Sequence, residues 1–307
     1  MKWVVDVGGT NTRVAQVDGT GRPRGLRIFP SREFPSLEAI LRTYGGKAEA
    51  AAVAVAGPVI DGVCRVTNLP WEVSAAKLQR TFGWKKTVLV NDLAAHALGV
   101  ASLPTKSLIS LNGRRFQRTG RNAVVIAPGT GYGLAALLWD GERHRALATE
   151  SGHVAFAADD DEAWEYRAAV CREHGVASVE TVLAGHAFSG LFRFYGGKIP
   201  RGVREPNVWV GERAAAGNRR ALKATRRYAA LLYREAEDAA LRYFALGGVI
   251  FVGNVARALG PHLGAAAGHR RERGPASIAA LLEQVPIGWV DAPELALRGL
   301  RSELVGA

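Results

Sequence analysis

With 307 residues, 48% hydrophobic and 22% charged, the chain has the composition of an ordinary soluble protein long enough for two domains. No apolar stretch reaches the length of a membrane span, and Met1 runs into a strand without a signal-peptide pattern, so no membrane partner is expected and the cytoplasm is the default location. The formal charge is +12, from 40 Lys and Arg against 28 Asp and Glu, but the arginine-rich stretches 113–121, 219–227 and 269–273 carry few aromatics and match no nucleic-acid module, so they read as solvated faces with no specific nucleic-acid partner.

The opening stretch, Lys2 to Arg13, is the one around which the rest of the chain is organised. Trp3 to Val7 is an apolar run interrupted only by Asp6, a buried strand whose carboxylate calls for a cation at the strand end. Gly8 and Gly9 let the backbone turn tightly and approach a ligand, while Thr10, Asn11 and Thr12 add hydroxyl and amide donors. That combination suits a phosphate chain with its magnesium. A glycine hairpin with a hydrogen-bonded aspartate is the alternative, because Val14 to Val17 continues as a second strand. Leu37, Ile40, Leu41 and Tyr44 then repeat at helical spacing behind the cap Ser36, and Gly45-Gly46 stops the helix. Ala51 to Ala56 is a strand ended by Gly57-Pro58, Val63 to Val66 is a short strand, and Asn68 to Trp71 is a loop. Ser74 caps a helix carrying Leu78 and Phe82. Thr87 to Val90 is a buried strand ending at Asn91-Asp92, and Leu93 to Ala101 is an alanine-rich helix packed behind it.

A second unit opens near Leu108, separated by the basic loop Asn112 to Asn122 from a new strand, Ala123 to Ala127. The turn 128–133 again places glycines and a threonine after an apolar strand, and Leu134 to Trp139 returns as the next strand; two such turns point to a duplication that grips phosphate from both sides. Helices are expected over Asp161 to His174, Val179 to Leu183 and Arg219 to Leu246. Gly247 to Asn254 is a strand ending in a glycine turn, Pro286 to Val290 a late strand, and Pro293 starts a terminal helix with Leu295, Leu297, Leu300 and Leu304. Cys64 and Cys171 lack CxxC spacing and read as small buried side chains, with neither a zinc site nor a disulfide framework indicated.

Three places carry candidate chemistry. Asn91-Asp92 lies where a strand ends and a helix begins, where open α/β sheets place their ligands, and a carboxylate there can take the proton of an attacking hydroxyl; a helix N-cap is the competing role. Glu150 and His153 flank the small pair Ser151-Gly152, so a tight turn can aim both into one cleft, although such residues are also common on surfaces. Glu180, within Ser178 to Gly185, is the weakest of these candidates, and a solvent-facing helix position is its natural alternative.

Together these segments resemble the bacterial glucokinase family, within the wider actin, hexokinase and sugar-kinase fold. A DVGGTN turn (Asp6 to Asn11), a TN-x-x-W loop (Thr67 to Trp71), an ND-x-x-A strand end (Asn91 to Ala94), a GTG-x-G turn (Gly129 to Gly133), an E-x-GH loop (Glu150 to His153) and a VE-x-VL-x-G helix (Val179 to Gly185) occur in that order over nearly the whole chain. The resemblance implies an α/β, two-domain actin-like ATPase / ribonuclease H-like sugar-kinase fold with a cleft between the domains. Residues 1–110 plus 291–307 would form the small domain and 111–290 the large one, with the terminal helix packing back onto the first. It implies ATP-dependent phosphorylation of glucose at the 6-hydroxyl with Mg2+. By position, Asp92 is then the general base, with Asn91, Asp92, Glu150, His153 and Glu180 at the sugar. Gly8, Gly9, Thr10, Asn11, Thr12, Gly129, Thr130 and Gly131 would hold ATP, Asp6 the metal, and Gly253 would approach the adenosine. The expected partner is a small-molecule sugar, and the expected assembly a homodimer.

The chain departs from the family pattern at Asn254, where a second glycine is usual, at Pro293-Glu294-Leu295, where a glycine-rich segment is usual, and at Ser151 in the sugar loop. The first two lie on the nucleotide side and put donor choice in question. Another hexose, an aminosugar or cyclitol, a polyphosphate donor, or a non-catalytic sugar-binding regulator are the alternatives. The ROK kinases and repressors share the fold, but their cysteine-rich zinc motif is absent.

Overall fold

A computed structural model describes residues 1–17, 23–268, 274–292 and 294–304. The basic stretch 269–273 and Pro293, the expected start of the last helix, lie outside the described residues. In chain order the elements are β1 (Lys2–Val7), β2 (Asn11–Val17), β3 (Pro23–Pro30), α1 (Leu37–Tyr44), β4 (Ala50–Val55), β5 (Val63–Arg65), β6 (Glu72–Ser74), α2 (Ala75–Phe82), β7 (Lys86–Asn91) and α3 (Asp92–Ser102). There follow β8 (Ile109–Ser110), β9 (Ala123–Pro128), β10 (Tyr132–Trp139), β11 (His144–Ala148), α4 (Asp161–His174), α5 (Val179–Leu183), α6 (Ala187–Phe194), α7 (Pro206–Ala215) and α8 (Arg219–Arg242). The chain finishes with β12 (Gly248–Val252), α9 (Asn254–Ala267), α10 (Ala276–Gln284), β13 (Ile287–Val290) and α11 (Leu295–Ser302). The described residues group into two compact units, one of Met1–Leu103, Ala135–Ala148 and the chain from Ala292, the other of Pro104–Leu134 and Thr149–Asp291.

The first sheet has the order β3-β2-β1-β4-β7, with β1, β4 and β7 parallel and the β1-β2-β3 meander antiparallel. Side chains alternate across a strand, so β1 serves two cores. Trp3, Val5 and Val7 pack with Val53 and Val55 over α1 and α2 residues such as Ile40 and Leu78, while Val4 packs with Ala52, Ala54, Ala95, Leu297 and Leu300. With both faces buried, the central strands read as continuous apolar runs. The edge strand β3 has no such signature: it starts and ends with proline, exposes most of its length and buries only Phe29. Charged, proline-bounded edges of this kind resist pairing with other chains.

The terminal helix α11 lies on α3 at backbone distance. A Cβ on Gly99 would collide with the Leu295 carbonyl, and one on Gly299 with the carbonyl of Ala95, so the two glycines set how closely the helices cross.

The second sheet has the order β11-β10-β9-β12-β13-β8. Among its covering helices, α8 turns a buried stripe of Ala221, Ala224, Tyr228, Leu231, Leu232 and Ala236 inward, and it ends at Arg242, short of the expected Leu246, because Phe244 takes a left-handed conformation (φ 48°). The helices α6, α7, α9 and α10 add to those expected from periodicity. Cys64 is buried in the first core and Cys171 is half-buried on α4. Among the described residues no helix is long and apolar enough to cross a membrane.

Candidate active site

Alternation along β1 puts Asp6 on the same face as Val4, the face covered by α3. The cation that its burial demands is Arg13, its direct partner in the β1-β2 register, with Nη1 3.1 Å from Asp6 Oδ2. The turn after β1 is braced from within: Gly8 N–H donates to the Asn11 carbonyl (3.0 Å), and Ser31 donates its hydroxyl to the Gly8 carbonyl (2.7 Å) and its N–H to that of Thr10 (2.8 Å). Thr12 has no exposed surface, and its hydroxyl shares a 3.0 Å hydrogen bond with Ser31, so it holds the turn while Thr10 stands exposed and Asn11 half-exposed. A Cβ on Gly9 would lie 2.8 Å from that of Asn68, so the Thr67 to Trp71 loop rests on the turn.

At the end of β7, Asn91 and Asp92 divide the two roles that compete for this position. Asn91 is the N-cap of α3, its Oδ1 accepting from the Leu93 (3.0 Å) and Ala94 (3.1 Å) amides while its Nδ2 donates to the Gly57 carbonyl (3.2 Å). Asp92 is therefore not needed as the cap. Its Oδ1 accepts from Leu93 N–H at 2.8 Å, and its main-chain carbonyl lies 2.8 Å from Nδ1 of His96. Burial pushes the Asp92 carboxyl above the ordinary aspartate value, His96 and the Leu93 amide pull against this, and the charge of Asp6 adds to the rise.

In the second unit, the glycine turn and the acidic loop are joined through α5. Gly129 N–H closes the turn on the Gly131 carbonyl (2.8 Å), and Gly185, after α5, donates to the Gly129 carbonyl (2.7 Å). Glu180 is half-buried and engaged: its Oε2 accepts the Tyr132 amide at 2.9 Å. A Cβ at Gly131 would come within 2.7 Å of that oxygen, and one at Gly152 would strike the Tyr132 carbonyl, which explains the glycines at both positions. Glu150 and His153 stand exposed beside this assembly with Oε2 and Nε2 3.8 Å apart, while Ser151 is buried and bonded to Thr149 (2.8 Å). Gly253 N-caps α9 at φ 92°, and the following Asn254 accepts from Arg257, which also pairs with Asp291 (3.1 Å).

A sequence model of the family described as Glucokinase matches residues 3–305. This chain belongs to the glucokinase family. It is 35% identical to the glucokinase of Caulobacter vibrioides strain NA1000 / CB15N over 264 residues, covering 82% of this chain and 80% of that one. The crystal structure of glucokinase from an Antarctic psychrotroph superposes with a TM-score of 0.85 at 26% identity, covering 100% of this chain and 99% of that one. A ROK family glucokinase from Streptomyces griseus, in complex with glucose and AMPPNP, shares the fold at a TM-score of 0.63 and 19% identity, covering 98% of each chain. The fold is the two-domain actin-like sugar-kinase fold expected from the sequence.

The residues present fit the cofactors of a glucokinase-family kinase. Magnesium takes oxygen donors, commonly one or two carboxylates plus substrate phosphates. Asp6 keeps Oδ1 beside the oxygen held by Arg13, and among the described residues no cluster of three or more His, Cys, Asp or Glu forms a dedicated metal cage. At Gly129 and Gly253 an added Cβ would meet nothing closer than 3.9 Å, so a ligand can approach the backbone there, although the Gly129 amide is itself spent on the Gly131 carbonyl. Arg13, Ser31 and Asn68 are the participants that sequence reasoning missed. Arg13 had a signal in the need of Asp6 for a cation, and Asn68 one in its place in the TN-x-x-W loop, while Ser31 had none.

Proposed function

We propose that this chain is a glucokinase that phosphorylates glucose at the 6-hydroxyl with ATP, and that Asp92 takes the hydroxyl proton. The observation that carries this is the carboxyl of Asp92 at the start of α3, relieved of capping by Asn91 and pushed up by burial, which makes it a stronger proton acceptor than an exposed aspartate. Family membership supports the reaction. Phosphoryl transfer asks the protein chiefly for positioning and charge neutralisation, and the donor set supports both. Asn91 fixes the first turn of α3 and keeps a second amide hydrogen for the sugar. Glu150 and His153 offer exposed acceptor and donor groups, and Glu180 has Oε1 beside the oxygen given to Tyr132. Gly8 to Asn11, Gly129 to Gly131 and Gly253 would hold ATP, with Thr12 as their internal support, and Asp6 would hold magnesium. Bound ATP and magnesium supply the phosphoryl group and offset its charge. Residues 1–110 with 291–307, and 111–290, are the two domains of this proposal, which includes a cytoplasmic homodimer.

The test is a coupled assay over a panel of hexoses, aminosugars and cyclitols with ATP, ADP and polyphosphate. Glucose with ATP should give the highest kcat/KM. A better sugar or donor replaces that part of the proposal, and sugar binding without turnover on any combination makes the chain a regulator.

A further inference from the structure

A cavity of about 430 Å³ opens in the second unit between α4, the end of α6 and the first half of α8, lined by Glu162, Tyr195, Arg219, Lys223, Arg226 and Arg227, with Leu222 at its side. That volume lies within the range of small-molecule sites, roughly 300–1,000 Å³. Four cations face one carboxylate. They recur at i, i+4, i+7 and i+8 along α8, so like charges stack on one helix face, an arrangement that destabilises a helix unless anions compensate.

The compensation is partial. Glu162 is shared by Lys223 (2.9 Å) and Arg227 (3.3 Å), and Arg227 also holds Asp160 at 2.6 Å. Among the described residues no carboxylate pairs with Arg219 or Arg226. Positive charge also extends past the cavity rim: burial, and after it the charge of Arg226, hold the His262 imidazole of α9 below its ordinary value. Lys223 Nζ sits 4.0 Å from the centre of the Tyr195 ring, so the ring lines the cavity as a wall and keeps the ammonium over it.

We propose that this cavity binds a phosphorylated small molecule, with Arg219 and Arg226 as its anion-holding residues and Lys223 and Arg227 as supporting charge. Guanidinium groups suit phosphate because their planar donors meet two oxygens at once. Two arginines two turns apart on one helix face are about 10 Å apart along the axis, which favours a ligand with two phosphoryl groups over a single small anion. The site goes beyond sugar phosphorylation and does not depend on Asp92.

The full chain, saturated with glucose and AMPPNP so that its nucleotide turns are filled, is titrated with pyrophosphate by calorimetry and by thermal melting, against sodium chloride at matched ionic strength. Pyrophosphate should bind and raise Tm beyond the chloride control. The double variant Arg219→Gln/Arg226→Gln should melt normally without ligand, lose about tenfold or more in pyrophosphate affinity, and turn over glucose and ATP as the parent does. Equal effects of pyrophosphate and chloride, loss of pyrophosphate binding on adding AMPPNP, or unchanged affinity in the double variant would each overturn the proposal.

Discussion

Glu180 reaches from α5 to the glycine turn and accepts the main-chain amide of Tyr132 at 2.9 Å, so a residue proposed for the sugar also fixes the backbone proposed for the phosphates. Under that proposal the two oxygens of one carboxylate have separate duties. Replacing Glu180 with Ala strands the Tyr132 amide and should lower stability by about 1–3 kcal/mol. Gln keeps an acceptor for that amide but loses the charge and turns the second oxygen into an NH2 donor, so Glu180→Gln should melt close to the parent while its KM for glucose rises about tenfold or more. Thermal melts beside steady-state kinetics separate the two. Parental KM values in both variants would leave Glu180 a purely structural residue.

Asp92 is a position at which activity and stability should move apart. Asp92→Asn should lower kcat by roughly 10²-fold to 10⁴-fold, because the amide cannot take a proton. The carboxyl is held above its ordinary value by burial, against the pull of His96 and with the push of Asp6. Its folded-state pKa exceeds its unfolded one, so the stability linked to this group is fully present below the unfolded pKa and is lost as pH rises through the folded value. At neutral pH the ionised side chain therefore costs stability, and Asp92→Asn should melt at or above the parental temperature. A clear drop in Tm at neutral pH would contradict the linkage argument even if activity were lost.

The pH profile depends on the same group. As the proposed base Asp92 must be ionised, so kcat/KM should fall as pH drops through its raised pKa. His96 holds its Nδ1 2.8 Å from the Asp92 carbonyl, and its charge lowers the Asp92 value, so His96→Gln should move the acid limb to higher pH. An acid limb in the same place for parent and variant would remove His96 from this role.

The crossing of α3 and α11 places a structural load next to the proposed base. Gly299→Ala must push α11 off the Ala95 carbonyl, since backbone rather than a flexible side chain stands in the way. The cost should be about 1–3 kcal/mol or more, and kcat should fall with Tm because α11 is packed on α3, the helix that Asp92 begins. Melting curves and kcat measured well below Tm test this. An unchanged Tm would mean that the helices separate freely.

How much of the fold and the site was legible in the sequence depended on whether the deciding partner was local. The apolar run Trp3 to Val7, the caps Ser36 and Ser74, and the strand end at Asn91-Asp92 were all readable, because each rests on neighbours within a few residues. The burial of Asp6 announced a cation, but Arg13 became its partner only through the β1-β2 register. Ser31 is separated from Thr12 by the rest of β2 and by an edge strand without periodicity, and nothing in the local pattern ties them. Glu180 was the weakest candidate on a five-residue helix, since its partner is a main-chain amide 48 residues away. Gly99 and Gly299 carry no local signal, because the need for glycine arises only where the two helix backbones meet.

The departure from the family pattern before α11 coincides with a strained residue. Glu294, just ahead of the helix, has φ 59° and ψ 29°, a left-handed conformation in which an L side chain crowds its own backbone and glycine does not. This gives a physical reason for a glycine-rich segment here, and it marks a position where this chain carries local strain. The left-handed region costs a non-glycine residue roughly 1–2 kcal/mol, while glycine gives back about 0.5–1 kcal/mol through the greater freedom of its unfolded state. Glu294→Gly should therefore stabilise the protein by about 0.5–1 kcal/mol, raising Tm by about 1–3 °C. The alternative is that Glu294 makes the strain worthwhile through its carboxylate, in which case both Glu294→Gly and Glu294→Asn should lower Tm. Asn tolerates the left-handed region better than Glu and has no charge, so a gain with both variants isolates backbone strain as the cause. A loss with both would show that the carboxylate outweighs it.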